Sequence, residues 1–261
     1  MIHRPETAPD ADRSQFFTAF RNGLLMGAAV LVLALPPAGW VSVTSPKTAE
    51  PAQAIAAPAE VAPVVVRLAA FGDQEASPEA RHVANWAVHT GDHKDLSFVI
   101  IDKKEAKVYV FNPQGELKAV TAALLGSAHG DHTVPGIGDK PLSQVMPDER
   151  TTPAGRFVAE PGVNTKGEDI VWVDYDAAVS MHRVRPHVKA ERRLERLASP
   201  SAEDNRISYG CINLPVAFYE NVLSPTVAAT GAIIYVLPET RTASEVFGSY
   251  DVRPAAQYAQ R

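Results

Sequence analysis

The chain carries a single cysteine, Cys211, within the stretch RISYGCINLP at residues 206–215. A thiol becomes a nucleophile for acyl transfer when a base removes its proton and nearby N–H groups stabilise the oxyanion that forms. The candidate base is His182, which ends the apolar stretch AAVSMH. The alternative interpretation is an inert thiol in the hydrophobic core, and these two residue types alone do not decide between them.

The local sequence contains elements that would position such a thiol. Gly210 precedes the cysteine and permits a tight backbone and a close approach of the substrate. A helix is predicted to begin near residues 213–215, where its free N–H groups would favour the thiolate and stabilise developing negative charge. His182 ends a predicted strand, from which its side chain can reach a turn on a neighbouring element.

Composition excludes several classes of function. The 261 residues are 46% hydrophobic and 21% charged, with a formal net charge of −5, as in an ordinary globular protein. No nucleic-acid partner is expected, because nucleic-acid-binding proteins carry a basic excess. One cysteine builds neither a disulfide nor a cysteine-based zinc framework. The stretch AHGDH at 128–132 is interpreted as a surface loop, so neither a metal ion nor a cofactor is expected.

Residues 1–43 have the features of an export signal. Arginines precede the apolar run LLMGAAVLVLAL at 24–35, and Pro36-Pro37 follows it. The run is shorter than the ~20 residues of a membrane span, which favours the apolar region of a signal peptide, whereas an extension through Val43 would keep it as an anchor, and the sequence does not decide whether it is cleaved. The folded part is therefore expected in the periplasm or cell envelope, with membrane contact only through this segment.

The rest of the chain divides into a linker, a short helix, one domain and a tail. An Ala/Pro-rich linker is predicted at 44–75, a short helix at 76–92, a domain at 93–238 and a polar tail at 239–261. The domain is predicted to be mostly β with a few helices. Strands are predicted at 96–102, 107–111, 118–125, 156–160, 169–175, 178–182 and 231–237. Two helices within it are predicted at 185–198 and 215–223, each closed by Ser-Pro.

Three stretches, in the same order along the chain, resemble motifs of the L,D-transpeptidase catalytic domain, a family of cysteine enzymes. ISYGCINLP is similar to the family's S-H-G-C signature, and TTPAGRF at 151–157 is similar to its T-P-x-G-x-F segment. SMHR at 180–183 lies where the family has its upstream histidine. The resemblance covers about residues 96–238 and implies a β-sandwich or barrel of the L,D-transpeptidase type.

The resemblance implies an enzyme that remodels peptidoglycan stem peptides, which serve as both donor and acceptor. By position, Cys211 is the nucleophile that forms a thioester acyl-enzyme, and His182 is the general base. Gly210 and the backbone N–H of Cys211 would help to form the oxyanion site, and Ser208 would shape the loop. An amine of a second stem peptide, or of a lipoprotein, would then resolve the acyl-enzyme.

The chain departs from the family at Tyr209, which stands where the signature has histidine. A phenol with a pKa near 10 is a poor base at neutral pH. Either His182 is the base and Tyr209 donates a hydrogen bond to the oxyanion or substrate, or the domain is catalytically inactive and only binds peptidoglycan stems. A thiol hydrolase that cuts the same linkage is a further alternative.

The second departure is the long stretch between His182 and Cys211. It contains seven basic residues, namely Arg183, Arg185, Lys189, Arg192, Arg193, Arg196 and Arg206. They form either a solvated helix face paired with glutamates or a set of ligands for the carboxylates of a stem peptide. Arg206 and Arg183, which lie nearest in sequence to the two catalytic candidates, are the predicted substrate ligands.

Overall fold

The computed structural model describes residues 66–252. The predicted signal or anchor at 1–43 and the greater part of the predicted linker lie outside the described residues. Within residues 66–252, no helix is long and apolar enough to cross a membrane. Phe71 is 5% exposed and packs edge-on against Phe111, and Ala70 pairs with Glu116. The last part of the predicted linker therefore belongs to the folded domain, because its phenylalanine is a core residue.

Helix α1 spans Pro78–Thr90 and follows the start signal in the sequence. The Ser77 hydroxyl accepts a hydrogen bond from the Ala80 N–H at 3.0 Å, and proline occupies the first turn, where no backbone donor is needed. Gly91 ends the helix in the left-handed conformation. The helix buries one apolar face, including Trp86, against the first sheet.

The first sheet has five strands in the order β3-β2-β1-β11-β5. Its strands are β1 (Ser97–Asp102), β2 (Lys107–Phe111), β3 (Leu117–Ala122), β5 (Gly155–Val158) and β11 (Ala232–Val236). The central strand β1 runs parallel to β11 and antiparallel to β2, and all of its residues are buried. Phe98 and Ile100 face α1, whereas Val99 and Ile101 face the opposite side, so these four central residues are all apolar.

A second sheet of four strands carries the candidate site. Its order is β10-β8-β7-β6, formed by β6 (Glu160–Val163), β7 (Asp169–Asp174), β8 (Val179–Arg183) and β10 (Ile212–Leu214). Two short parallel strands, β4 (Leu125–Gly126) and β9 (Arg206–Ser208), form a separate pair. Val99 and Ile234 of the first sheet share one core with Met181 and Ile212 of the second. The predicted class, mostly β with a few helices, is confirmed.

The helix predicted at 185–198 is wrong over its first part. Only α2 (Arg193–Ala198) is α-helical, after a 3-10 turn at Lys189–Glu191. Arg192 lies between them with φ 50° and ψ 40°, a left-handed conformation that a continuous right-handed helix does not contain. The chain therefore changes direction at this residue, and Arg193 begins a new element.

The helix predicted to end at Ser224-Pro225 instead continues through it. It consists of α3 (Val216–Phe218), a π-helical turn (Tyr219–Leu223) and α4 (Ser224–Thr230). Pro225 lies in the first turn of α4, directly after the wider π-helical turn, where its missing N–H and its ring are tolerated.

The polar tail predicted from residue 239 belongs to the fold as far as residue 252. Helix α5 (Ala243–Phe247) begins with a reciprocal pair of hydrogen bonds between Thr242 and Glu245. Phe247 packs edge-on against Tyr235, with the ring centroids 5.8 Å apart. Residues 253–261 lie outside the described part of the chain.

Candidate active site

Two neighbouring parallel strands, β8 and β10, bring the candidate catalytic segments together. In their register, Met181 lies beside Ile212 and His182 lies beside Asn213. Met181 and Ile212 are fully buried in the core that the two sheets share. Because successive side chains of a strand point to opposite faces, His182 and Asn213 face the other side of this sheet.

The Cys211 thiol lies at the start of β10, beside β8. Its Sγ is 3.7 Å from the Ser180 hydroxyl and 3.6 Å from the carbonyl oxygen of Ala178. The cysteine is partly exposed, unlike an inert cysteine of a hydrophobic core. A substrate that reaches this face of the sheet can therefore contact the sulfur.

The hydrogen bonds of His182 determine which of its nitrogens can accept a proton. Its Nδ1 lies 2.7 Å from the carbonyl oxygen of Arg183, which can only accept, so Nδ1 carries the proton. In the neutral ring, Nε2 then carries the lone pair, and it lies 3.4 Å from the side-chain nitrogen of Asn213. Burial lowers the pKa of His182, and the positive charges of Arg185 and Arg193 lower it further. The imidazole is therefore held as a neutral base.

The turn before Cys211 requires glycine at position 210. Gly210 has φ 127°, and a Cβ placed on it would lie 2.7 Å from the carbonyl oxygen of Thr151. The Ser208 hydroxyl accepts a hydrogen bond from the Gly210 N–H at 3.1 Å and donates one to the Cys211 carbonyl at 2.6 Å. Thr152 donates to the Gly210 carbonyl at 2.8 Å. Side chains thus hold the Gly210 N–H, the Gly210 carbonyl and the Cys211 carbonyl in place.

Gly210→Ala is expected to destabilise the protein more than an alanine substitution at another glycine with positive φ that has open space around it. Gly167→Ala is the matched control, because Gly167 has φ 80° but no atom within 4 Å of an added Cβ. Both variants carry the backbone strain of a left-handed residue, about 1–3 kcal/mol. Gly210→Ala adds overpacking against Thr151, which costs a further ~1–3 kcal/mol. Urea unfolding of both variants measures the difference, and equal losses would mean that the close approach of Thr151 is unimportant.

Tyr209, the residue that departs from the family signature, lies at the rim of this site. It is 42% exposed, and the Arg150 guanidinium lies 4.2 Å from the centre of its ring. A cation above a tyrosine ring is attracted by the negative face of the π system. Arg150 therefore holds the ring in place, with the phenol near solvent.

The two arginines predicted to bind substrate are already paired within the domain. Arg206 is buried, donates to the Lys103 carbonyl at 2.8 Å and forms an ion pair with Glu239. Arg183 pairs with Asp169 and Glu220, at 2.8 Å in each case. Both guanidinium groups thus already have carboxylate partners within the domain, and their role as substrate ligands stays a prediction.

The helix predicted to begin beside the thiol starts further along the chain. Ile212 and Leu214 are fully buried and form strand β10, and the first helical residue is Val216. These residues form a strand because they fill the core beside β8. The thiol is therefore positioned by a sheet rather than by a helix terminus.

A buried lysine, Lys103, stabilises the turn at Gly210 through its contact with Thr152. The Lys103 ammonium has no exposed surface and donates to the carbonyl oxygens of Gly130 and Thr152, at 2.5 and 2.9 Å, and to Asp131 at 3.0 Å. Burial lowers the pKa of Lys103 to about 8, although Asp131 opposes the shift. Burial alone would raise the pKa of Asp131, but hydrogen bonds from Thr240 and Lys103 lower it to about 2. At neutral pH the two groups therefore form an ion pair that holds Thr152 against Gly210.

Sequence reasoning missed Asn213, Thr152 and Lys103, and it did not predict that Arg193 contacts Asn213. The alternation of Cys211 and Asn213 would have placed both on one face if residues 212–214 had been recognised as a strand. Within residues 66–252, no group of three or more His, Cys, Asp and Glu side chains is arranged to hold a metal ion.

No protein-family model matches the chain, and a search of curated proteins found no relative. Solved structures with a similar fold include the catalytic domain of an E. faecium L,D-transpeptidase, at 14% identity and a TM-score of 0.33 over 55% of this chain and 98% of that one. The helical cell shape determining protein Pgp2 from Campylobacter jejuni is 12% identical with a TM-score of 0.37, over 56% of this chain and 48% of that one.

An L,D-transpeptidase from Mycobacterium smegmatis is 18% identical with a TM-score of 0.31, over 54% of this chain and 58% of that one. The chain thus spans about half the length of the Pgp2 and M. smegmatis structures. These identities and TM-scores are too low to support an inference about function, so the residues of the site have to support it.

Proposed function

We propose that this protein is an L,D-transpeptidase-like enzyme that remodels peptidoglycan with Cys211 as its nucleophile. The observation that carries the proposal is the placement of a partly exposed thiol and a neutral histidine on one face of adjacent strands. Ser180 lies beside the thiol and Asn213 beside the imidazole, and hydrogen bonds between a nucleophile and its base often tighten only when substrate binds. The motifs around Cys211 and His182 point to the same family.

In the first half-reaction, Nε2 of His182 takes the proton of the Cys211 thiol. The thiolate attacks the carbonyl carbon between the L-centre of diaminopimelate and the terminal D-alanine, which places a negative charge on the carbonyl oxygen. The Gly210 N–H is engaged by Ser208, so the Cys211 N–H is the candidate donor to this oxyanion. The C–N bond then breaks, the imidazolium protonates the departing amine, and a thioester remains on Cys211.

In the second half-reaction, an amine replaces the sulfur. The amine of a second stem peptide, or of a lipoprotein, attacks the thioester carbonyl and gives its proton to His182. Collapse of the intermediate forms the new amide and releases the thiolate, which recovers the proton. Water in place of the amine would give hydrolysis, so the acceptor decides between a transpeptidase and a hydrolase.

The proposed substrate implies a location in the periplasm or cell envelope. Residues 1–43 would act as a signal peptide or as an anchor in the cytoplasmic membrane, and residues up to 65 would separate the domain from the membrane. A reporter that is active only in the cytoplasm, fused after Arg261, should therefore be inactive.

Incubation of the full-length protein with disaccharide tetrapeptides tests the reaction. Mass analysis of the products should show release of D-alanine and cross-linked dimers, whereas Cys211→Ser should produce neither. Tripeptides without dimers would instead identify a hydrolase. Unchanged tetrapeptides that remain bound to the protein would favour the inactive stem-binding domain, the alternative that the tyrosine at position 209 motivates.

Tyr209→Phe is expected to slow acylation by about 10²-fold or less. The phenol at the rim of the site offers at most one hydrogen bond to the oxyanion or substrate, and the loss of one such donor has about this effect. Tyr209→His, which restores the family residue, should keep or raise the rate. The rate is measured by mass spectrometry as the appearance of the acyl-enzyme.

Tyr175→Phe is the matched control, since Tyr175 is 70% exposed and lies on the turn between β7 and β8. It should acylate at the wild-type rate. If wild type is inert and Tyr209→His switches the thiol on, the assignment of His182 as the base is wrong.

A further inference from the structure

The side-chain amide of Asn213 lies between an arginine and the proposed catalytic base. Asn213 is 1% exposed, and its Oδ1 is 2.6 Å from Nη1 of Arg193. Its Nδ2 faces the other way, 3.4 Å from Nε2 of His182 and 3.3 Å from the Cys211 carbonyl oxygen. One amide thus contacts both members of the proposed nucleophile–base pair.

Arg193 and the Cys211 carbonyl oxygen together determine which way this amide points. A guanidinium has only donors, so it must face the amide oxygen rather than the amide nitrogen. The N–H group of Asn213 is thereby directed at Nε2 of His182. A flipped amide would present its oxygen to Nε2 and, together with the Arg183 carbonyl at Nδ1, would stabilise the doubly protonated imidazolium. An imidazolium cannot take the proton of Cys211.

Arg193 is itself held in place. Its side chain is 14% exposed, and its Nε donates to Glu191 at 2.5 Å. The left-handed turn at Arg192 redirects the chain immediately before it. These contacts belong to the stretch between His182 and Cys211 that sets this chain apart from the family it resembles.

We propose that Arg193 is a positioning residue that keeps His182 neutral, and so able to accept a proton, by orienting the amide of Asn213. The inference rests on the proposed function, in which His182 is the base. Besides Arg193, the charged groups that act on the imidazole are Arg185 and Glu168, which form an ion pair with each other. Arg193 is thus a positive charge near the imidazole that also sets its hydrogen-bond partner.

The test follows the titration of His182 by NMR in the full-length protein. In wild type, the midpoint should lie below the usual value of about 6.5 for histidine. Arg193→Met should raise it by about one pH unit or more, because the amide oxygen loses the donor that holds it and the positive charge is lost. Arg193→Lys keeps a charge and a donor and should restore most of the wild-type titration.

Arg196→Met is the matched control on the same helix. Arg196 holds the segment through the carbonyl oxygens of Glu191 and Asp204 and does not contact Asn213. In Arg196→Met, His182 should titrate as it does in wild type. A folded Arg193→Met protein with the wild-type midpoint would show that Arg193 only holds the segment, and would overturn the proposal.

Asn213→Asp provides a test that does not remove the arginine. A carboxylate presents an acceptor to Nε2 in either orientation, so the pKa of His182 should rise in this variant as well. An unchanged midpoint would contradict the proposed role of the amide.

Acylation by a carbapenem provides the activity readout. The acidic limb of the pH–rate profile should move upward with the midpoint of His182, so that Arg193→Met is several-fold slower at pH 6 and close to wild type at pH 8. If the wild-type thiol is not acylated at all while the titration shifts as expected, the proposed function fails and the positioning role stands. If the wild-type thiol is acylated, but Arg193→Met changes neither the pH dependence of acylation nor the midpoint of His182, only the positioning role of Arg193 is wrong.

Discussion

Replacing His182 with alanine is expected to slow acylation of Cys211 by about 10⁴-fold, close to the effect of removing the thiol itself. The nucleophile and the base act as one unit, so removing either should abolish most of the rate. The measurement is the rate at which acyl-enzyme mass appears on the full-length protein.

The control for this prediction is His187→Ala, which removes an exposed histidine from the adjacent stretch. This variant should acylate at the wild-type rate. If His182→Ala also acylates normally, another group activates the thiol, and the mechanism proposed for this site is wrong.

Lys103→Met is expected to lower the free energy of unfolding by about 3–5 kcal/mol. The substitution leaves the buried Asp131 carboxylate without its nearest cation, whereas Glu239 keeps its ion pair with Arg206. Breaking a buried ion pair on one side has a cost of this size, because a charge then remains in a poorly solvated site. Urea unfolding at pH 7 measures the loss.

The neighbouring residue offers a matched control. Lys104→Met removes a side chain that is 48% exposed and lies 3.5 Å from Glu79, so it should change stability by about 0–1 kcal/mol. Similar losses in the two variants would show that the buried cluster contributes little. A folded fraction of Lys103→Met should also react more slowly at Cys211, since Thr152 would be released from its contact with the lysine.

The buried Lys103–Asp131 ion pair also predicts how the stability of the protein depends on pH. The pKa of Asp131 is lowered to about 2 from its unfolded value of 3.8, so the folded protein binds this proton less tightly than the unfolded chain does. Its contribution to stability is therefore present above about pH 4 and is lost as the pH falls toward 2. The loss should be smaller in Lys103→Met, where part of the shift is already removed.

Local patterns in the sequence were sufficient for most of the fold. The run at 96–102 and the Ser77-Pro78 start predict β1 and α1, because burial on both faces and capping are encoded within a few residues. The prediction of a helix at 185–198 was wrong in part because the amino-acid composition does not reveal the left-handed conformation of Arg192. The strand β10 was missed because three residues beside a proline carry too little periodicity to be told from a helix start.

The candidate site could be predicted only in part. Cys211 and His182 were identified by residue type and by resemblance, and the structure places both on the strand pair β8–β10. Arg206 was interpreted as a surface ligand because its partner, Glu239, is distant in sequence. Ion pairs between residues that are far apart in the chain depend on the tertiary fold, so proximity in sequence to Cys211 was a poor guide to what Arg206 contacts.

The most direct test of the central claim is the intact mass of the full-length protein after exposure to a carbapenem. Resemblance to the L,D-transpeptidases implies that this class of compound acylates the nucleophile. We expect one adduct, mapped by peptide analysis to the segment that contains Cys211, and no adduct on Cys211→Ala. A wild-type protein that remains unmodified, or an adduct that persists in Cys211→Ala, would contradict the assignment of Cys211 as the catalytic nucleophile.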